Sequence, residues 1–249
     1  SYLLPLLFFI PLTPNNSWSL IALGAMVFGL GLVDDRINIK PSSKLLGQII
    51  AAALAVFLGH KIAFASWDIL NIPLSIFWIV AITNAFNLID NMDGLAAGVG
   101  IITLCFLTTV LLKTDQASLA MAAMALLGSL AGFLIFNFNP ASIFMGDSGS
   151  LFIGFTLAVL ALHSSSNRSV LAAVSVPCMV LLVPLLDMTL VSATRILTGR
   201  SVAQGGRDHS SHRLVALGLS ERKAVLFLYA LAAAAGASAL LLSRFSNMQ

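Results

Sequence analysis

The feature that most constrains this chain is a series of uncharged hydrophobic runs that recur along its whole length. Of its 249 residues, 59% are hydrophobic and only 9% are charged, whereas a soluble domain is about 45–50% apolar and about 25% charged. A helix that spans a bilayer needs roughly 20 mostly apolar residues, and the mean hydropathy of +0.99 agrees with several such helices. The composition therefore predicts one integral membrane domain over residues 1–249.

Nine hydrophobic runs are counted, and each is predicted to be a helix because lipid offers the backbone no hydrogen-bond partners. The first, third and seventh are short. Pro177 and Pro184 interrupt the eighth run and are expected to kink or break it. The predicted fold is an all-α polytopic bundle of about nine transmembrane helices. The runs are Tyr2–Thr13, Ser17–Val33, Leu45–Gly59, Ile69–Ile89, Leu95–Leu112, Ala117–Phe136, Ser150–Leu162, Val170–Leu186 and Ala224–Ser243.

Charged residues are distributed unevenly between the two membrane faces. If the runs cross in alternating directions, nine basic residues fall on one face and four on the other, which predicts that the first face is cytoplasmic. Eight of the ten acidic residues fall on that face too, although acids contribute little to topology. This clustering indicates one chemical site. The eight are Asp34, Asp35, Asp90, Asp93, Asp147, Asp187, Asp208 and Glu221.

The adjacent acids Asp34 and Asp35 follow the second run directly. Carboxylates at a helix C-terminus face the negative end of its dipole, so a capping role explains them poorly. One interpretation is charge neutralisation by Arg36 or Lys40. The other is a divalent metal, or the handling of protons near a bound phosphate.

A second acidic motif ends the fourth run, where Asn87, Asp90 and Asp93 recur at a spacing of three. This spacing places them along one side of a helix or tight turn. Acids near the membrane are costly and usually face a polar cavity. A structural interpretation has Asp93 capping the helix that begins after Gly94, but it accounts for only one of the three residues.

A third acidic motif contains Asp147, which lies in a polar loop between two uncharged runs and is flanked by Gly146 and Gly149. The glycines leave the backbone free to bend where a helix should begin. Asp147 or Ser148 could simply cap that helix. The presence of the other acids on the same face favours a functional site instead.

A basic loop carries Arg207, Asp208, His209, His212 and Arg213 after two glycines. Positive-inside arginines alone would explain its charge, but not two histidines three residues apart. Arg and His donors suit a phosphate or diphosphate. Carboxylates that can hold Mg²⁺, combined with such donors, are the groups that phosphoryl transfer requires.

Three further polar residues receive weaker interpretations. Asp187 closes the eighth run, and its spacing of eight to Arg195 permits an ion pair along a helix. His60 and His163 lie on the opposite face and are predicted to be interfacial and inert. The net charge of +3 is too small to indicate a nucleic-acid partner.

Together, these motifs resemble the polyprenyl-phosphate N-acetylhexosamine-1-phosphate transferases, the family-4 membrane glycosyltransferases. The resemblance implies transfer of a sugar 1-phosphate from a UDP-linked N-acetylhexosamine to undecaprenyl phosphate or a related polyprenyl phosphate. UMP is released, in the first membrane step of cell-envelope glycan synthesis at the plasma membrane. The matching stretches follow the family's order and are GLVDDR (31–36), NAFNLIDNMDGLAAG (84–98), NFNPASIFMGDSGSLFIG (137–154), PLLDMTLVSATR (184–195) and GRDHSSHR (206–213).

The resemblance also implies residue roles. Asp147 corresponds to the principal ligand of Mg²⁺, for which Mn²⁺ is an alternative. The implied catalytic residues are Asp34, Asp35, Asp90, Asp93 and His209, with the first two near the lipid phosphate. The implied substrate-binding residues, which include two uracil contacts at Asn137 and Phe144, are Asn87, Asn137, Phe144, Arg207, His212 and Arg213.

The sequence departs from the family in two ways. Family members usually begin with one or two more spans, so an N-terminal span and loop are expected to be absent here. The histidine motif reads DHSSHR, without the consecutive histidines of the peptidoglycan-precursor enzyme, and so is more similar to the enzymes that transfer GlcNAc 1-phosphate.

Two other functions are compatible with the same residues. One is the phospho-MurNAc-pentapeptide transferase, and a second is a cation transporter lined by the acids. A CDP-alcohol phosphotransferase is disfavoured because Asp93 is followed by GLAAG, which lacks the expected Ala-Arg pair. A homodimer is left open.

Overall fold

The structure, a computed structural model, describes residues 17–62, 68–164, 170–201, 206 and 208–245. All regular secondary structure in these ranges is helical, so the predicted all-α fold is confirmed. The helices are α1 (Ser17–Ile37), α2 (Pro41–Phe57), α3 (Asp68–Ile89), α4 (Leu95–Lys113), α5 (Ala117–Asn137), α6 (Gly146–His163), α7 (Val170–Val180), α8 (Leu182–Leu197), α9 (Ser210–Ala216) and α10 (Glu221–Phe245).

Five of the helices in the described ranges are long and apolar enough to cross a bilayer, namely α3, α4, α5, α6 and α10. The pair α7 and α8 makes six if it counts as one bent span. The chain is thus a multi-pass membrane protein. Fewer helices meet these criteria than the nine predicted. The second run forms α1, which is not among the candidate spans, and the third forms α2, which has only 17 residues. The first run, Tyr2–Thr13, lies outside the described residues.

The predicted break in the eighth run is confirmed. Helix α7 ends at Val180, α8 begins at Leu182, and their axes differ by 81°. Pro177 lies inside α7, while Pro184 lies in the first turn of α8, where a missing N–H costs no helical hydrogen bond. The bend sends α8 in a new direction, with Asp187 and Arg195 both buried.

Helix α6 forms the centre of the bundle and packs against α1, α3 and α4. Glycines allow the closest approaches. A Cβ atom on Gly31 of α1 would lie 2.5 Å from the backbone of Asp147 and Ser148, and one on Gly154 would lie 2.9 Å from the Cα atom of Thr83. The start of α6 is therefore held directly against α1.

His60 and His163, which were predicted to be interfacial and inert, are buried within the protein. They are only 0% and 9% exposed, because the ends of α2 and α6 meet and the rings bond to each other. His60 Nδ1 lies 2.8 Å from His163 Nε2, and His60 Nε2 lies 2.7 Å from the Ser19 hydroxyl. Burial, together with the nearby His163, lowers the pKa of His60 to about 4, so this ring stays neutral near pH 7.

Substitution of Gly31 tests the close contact between α1 and α6. We expect Gly31→Ala to lose about 1–3 kcal/mol of unfolding free energy, because the new methyl group overlaps backbone atoms that cannot rotate away. The matched control is Gly29→Ala on the same helix, where a Cβ atom meets nothing within 4 Å. Thermal unfolding of the detergent-solubilised variants measures the effect, and equal stability of the two variants would contradict this packing.

Candidate active site

The carboxylate of Asp147, in the first turn of α6, is the centre of a polar cluster. Lys44 Nζ forms an ion pair with Asp147 Oδ2 and a second one, 2.8 Å long, with Asp34 Oδ2. Asn87 Nδ2 donates to Asp147 Oδ1 at 2.8 Å and to the Ser150 hydroxyl at 2.9 Å. Side chains from α1, α2 and α3 thus meet on the start of α6.

Lys44 is not among the predicted site residues, because it entered the prediction of topology only as one of the basic charges. Lys44 is a lysine at the start of a hydrophobic run on the acidic face. A charged side chain in such a place usually has a partner, so its position was a usable signal. In the structure, its ammonium group lies between two of the predicted acids.

Asp35 caps α6 from a neighbouring helix. Its two carboxylate oxygens accept hydrogen bonds from the backbone N–H groups of Asp147, at 2.7 Å, and Ser148, at 3.0 Å. Such bonds satisfy donors that a helix start leaves unpaired. Gly146 has a φ of +66°, and a Cβ atom there would lie 3.0 Å from both carboxylate oxygens. Asp34 and Asp35 therefore contact Asp147 in different ways.

Asp90 follows α3 and lies close enough to the other acids to be influenced by them. Burial raises the pKa of Asp90 to about 7, and the negative charges of Asp147 and Asp35 contribute further to this shift. The structure thus brings four predicted acids, Asp34, Asp35, Asp90 and Asp147, to one end of the bundle.

Asp93 and Asn137 hold the loop that follows α5. Asp93 Oδ2 accepts a hydrogen bond of 2.9 Å from the N–H of Ala141, so it does not act as the cap of α4. Asn137 is buried, accepts from the N–H of Gly94 at 3.1 Å and donates to the carbonyl of Ile143 at 2.9 Å. Phe144, at the end of this loop, is 78% exposed, so its ring is accessible to a ligand.

Asp187 orients His209, which gives the acid a definite structural role. His209 Nδ1 lies 2.7 Å from Asp187 Oδ2, and both side chains are buried. Asp187 Oδ1 also accepts hydrogen bonds of 2.6 Å from the N–H and the hydroxyl of Ser210. The ion pair considered between Asp187 and Arg195 is replaced by one between Arg195 and Asp208, at 3.3 Å.

The other predicted residues of the basic loop differ in their placement. The rings of His209 and His212 have centroids 6.1 Å apart. Arg213 donates to the Thr194 hydroxyl at 2.6 Å and to the carbonyl of Asp208 at 3.0 Å, so it braces the end of α8. Arg207 lies outside the described residues.

The segment 87–94, with the sequence NLIDNMDG, connects these parts. Besides the contacts of Asn87 and Asp93, Asn91 Oδ1 accepts a hydrogen bond of 2.6 Å from Ser211 of α9. The carbonyl of Gly94 accepts one of 2.5 Å from the Tyr229 hydroxyl of α10. Asn91 was not predicted, although it follows Asn87 by one helical turn.

The oxygen donors around Asp147 suit a hard divalent cation. In the part of the chain that the structure describes, no three His, Cys, Asp or Glu side chains are grouped to hold a metal ion. Mg²⁺, however, usually binds one or two protein carboxylates and completes its shell with phosphate and water. The Lys44 ammonium lies between the Asp34 and Asp147 carboxylates, so these oxygens already attract a cation, and carboxylate oxygens are ligands of the type that Mg²⁺ takes.

Comparisons with known proteins agree with this geometry. Residues 17–165 match the family model described as glycosyl transferase family 4. The chain is 37% identical over 219 residues to a probable undecaprenyl-phosphate N-acetylglucosaminyl 1-phosphate transferase of Bacillus subtilis, covering 84% of this chain and 61% of the relative. It is 34% identical over 246 residues to a decaprenyl-phosphate N-acetylglucosaminephosphotransferase of Mycobacterium tuberculosis, covering 85% and 60%.

A third relative, a phospho-N-acetylmuramoyl-pentapeptide-transferase of Listeria monocytogenes, is 33% identical over 168 residues, which cover 59% of this chain and 51% of the relative. The chain spans 61% or less of the length of each of these three curated relatives.

The raised pKa of Asp90 predicts a pH-dependent stability difference. Below about pH 7 the native carboxyl keeps a proton that the unfolded chain, with its ordinary pKa of 3.8, has lost. Native stability therefore falls as the pH rises from 4 towards 7, by roughly 1.4 kcal/mol per pH unit from this group. Asp90→Asn removes the titration, so its unfolding free energy relative to wild type should increase between pH 5 and pH 7.

Chemical unfolding of both proteins in detergent with EDTA, at several pH values, measures this difference. Other titrating groups cancel because they are common to both proteins. A difference that is the same at pH 5 and pH 7 would show that Asp90 keeps an ordinary pKa.

Proposed function

The chain belongs to glycosyl transferase family 4, and on this premise we propose that it transfers N-acetylhexosamine 1-phosphate from a UDP-linked sugar to a polyprenyl phosphate, with release of UMP. The sugar we propose is N-acetylglucosamine. The relatives named for that sugar match 84–85% of this chain, whereas the relative named for phospho-N-acetylmuramoyl-pentapeptide matches 59%.

The observation that carries this proposal is the meeting of Asp34, Lys44 and Asn87 on Asp147. A UDP-sugar diphosphate and a lipid phosphate both bring negative charge, which requires cations at the point of transfer. The cluster offers one cation in Lys44 and the oxygen ligands for another in Asp147. Lysine binds phosphate as a point charge, so Lys44 is suited to a diphosphate oxygen, with Asp34 holding its ammonium group in place.

Asp147, with the side-chain amide of Asn87 beside it, would hold the divalent cation, Mg²⁺ or Mn²⁺. When bound, such an ion neutralises the diphosphate and stabilises the departing UMP.

The nucleophile in this proposal is an oxygen of the lipid phosphate, which attacks the phosphorus that bears the sugar. The new P–O bond forms as the bond to UMP breaks, so the diphosphate linkage passes to the lipid. A phosphate monoester has a second pKa near about 6, so most of it is already a dianion at neutral pH. Asp35, whose oxygens cap α6, is therefore assigned to positioning.

Two further groups are suited to recognise the donor. The exposed Phe144 ring can stack on the uracil base. His209, oriented through Nδ1 by Asp187, can present Nε2 to an oxygen of the sugar or diphosphate. Asn137 is buried and bonded to the backbone at Gly94 and Ile143, so it would act by shaping the loop that carries Phe144.

The location proposed for the site is the cytoplasmic side of the plasma membrane. Its support is the excess of basic residues on the face that carries Asp34, Asp90 and Asp147. The same gathering of acids at one end disfavours a cation transporter, which would need acids at several depths.

The metal assignment is tested by Asp147→Asn, which keeps the side-chain size but removes the charge. We expect Mg²⁺-dependent UMP release from UDP-GlcNAc and polyprenyl phosphate to fall by more than the about 10–100-fold loss typical of residues that only support a ligand. Asp115→Asn is the matched control, because Asp115 lies in the turn between α4 and α5, away from the cluster. Near-wild-type turnover by Asp147→Asn would remove this role.

The donor assignment is tested by incubation of the membrane-embedded protein with labelled UDP-GlcNAc or with UDP-MurNAc-pentapeptide. We expect lipid-linked label with the first donor alone. The peptidoglycan-precursor alternative, for which the match to the Listeria protein is the support, would give label with the second donor.

A further inference from the structure

Two amide side chains pair across the interface of α2 and α3, in a position that the reaction outlined above does not use. Asn84 Nδ2 donates to Gln48 Oε1 at 2.5 Å, and Gln48 Nε2 donates to Asn84 Oδ1 at 3.3 Å. The other hydrogen of Asn84 Nδ2 bonds to the carbonyl of Val80 at 2.8 Å. Gln48 is only 2% exposed, and Asn84 is partly buried.

The pair lies next to the site along both helices. Gln48 follows Lys44 by four residues in α2, and Asn84 precedes Asn87 by three residues in α3. Residues three or four apart share one face of a helix. In each helix, the amide of the pair and the side chain that contacts Asp147 therefore lie on the same face.

The pairing selects one alignment of the two helices. If α2 moved along α3, the two amides would lose their partners in a buried place, and each unsatisfied polar group costs about 1–3 kcal/mol. Lys44 alone cannot fix this alignment, because a lysine side chain is long and flexible and can follow a moving partner. The amide pair constrains the backbone, whereas the ion pairs do not.

We propose that Gln48 and Asn84 are positioning residues, which align α2 with α3 so that Lys44 and Asn87 reach the same carboxylate. The expected loss of activity rests on the proposed function of the Asp147 cluster. The alignment itself is a property of the protein without substrate or metal.

The experiment uses the double variant Gln48→Leu/Asn84→Leu in the detergent-solubilised protein. Replacing both partners by apolar groups leaves no unpaired amide, so folding stability should stay near that of wild type. The control variant is Thr103→Val. It removes another buried hydrogen bond between helices, that of 3.2 Å from the Thr103 hydroxyl of α4 to the carbonyl of Val180 at the end of α7. Neither residue belongs to the Asp147 cluster.

The direct readout is acylation of Lys44 by an amine-reactive reagent, quantified by mass spectrometry against Lys40. Lys40 is exposed and lies just before α2, four residues from Lys44, so it corrects for reagent and time. We expect the ratio of Lys44 to Lys40 labelling to rise several-fold in the double variant and to stay unchanged in Thr103→Val. UMP release should fall by about tenfold at an unchanged melting temperature, as for other residues that support a ligand.

The reciprocal variant Gln48→Asn/Asn84→Gln preserves the combined length of the pair and should return the labelling ratio towards wild type. An unchanged labelling ratio in the folded double-leucine variant would overturn the proposal, as would a rise of the same size in Thr103→Val. If Lys44 labelling rises as expected but wild-type protein releases no UMP from any UDP-sugar, the alignment role stands and the proposed function fails.

Discussion

The site depends on one electrostatic constraint: carboxylates gathered in a partly buried space repel each other unless a cation lies among them. Lys44 supplies that cation for Asp34 and Asp147, and by doing so it joins α1, α2 and α6. Among the residues that the structure describes, Asp90 forms no ion pair, and its pKa is raised to about 7 by burial and by its negative neighbours. The negative charges of Asp147 and Asp35 thus act on Asp90 as well.

The segment 87–94 connects the Asp147 cluster to other helices of the bundle. Its polar groups bond to different neighbours: Asn87 to α6, Asn91 to α9, and Gly94 to both Asn137 at the end of α5 and the Tyr229 hydroxyl of α10. Hydrogen bonds from this short stretch, which has few apolar side chains, thus connect helices that elsewhere are held together by apolar packing. Asn91 accepts from Ser211, and the adjacent Ser210 donates to Asp187, which contacts His209, so the segment also links the Asp147 cluster to His209.

The sequence predicted the acids of this site better than their roles. Run boundaries and the positive-inside bias are local or additive properties, so they placed Asp34, Asp90 and Asp147 on one face. The cap that Asp35 provides depends on how closely α1 approaches α6 at Gly31, which no local pattern encodes. Similarly, His60 is buried because the end of α2 meets the end of α6, a contact that hydropathy along the chain does not show.

The cap on α6 has a consequence for how an anion can be recognised. A helix start is usually a ready-made cradle for phosphate, since its free N–H groups point outwards. Here the amides of Asp147 and Ser148 are already occupied by Asp35, and the adjoining carboxylate would repel an incoming anion. In the proposed reaction, side chains and a bound ion would instead hold the phosphoryl groups. A single residue change would then be enough to abolish recognition, whereas backbone N–H groups remain after any side-chain substitution.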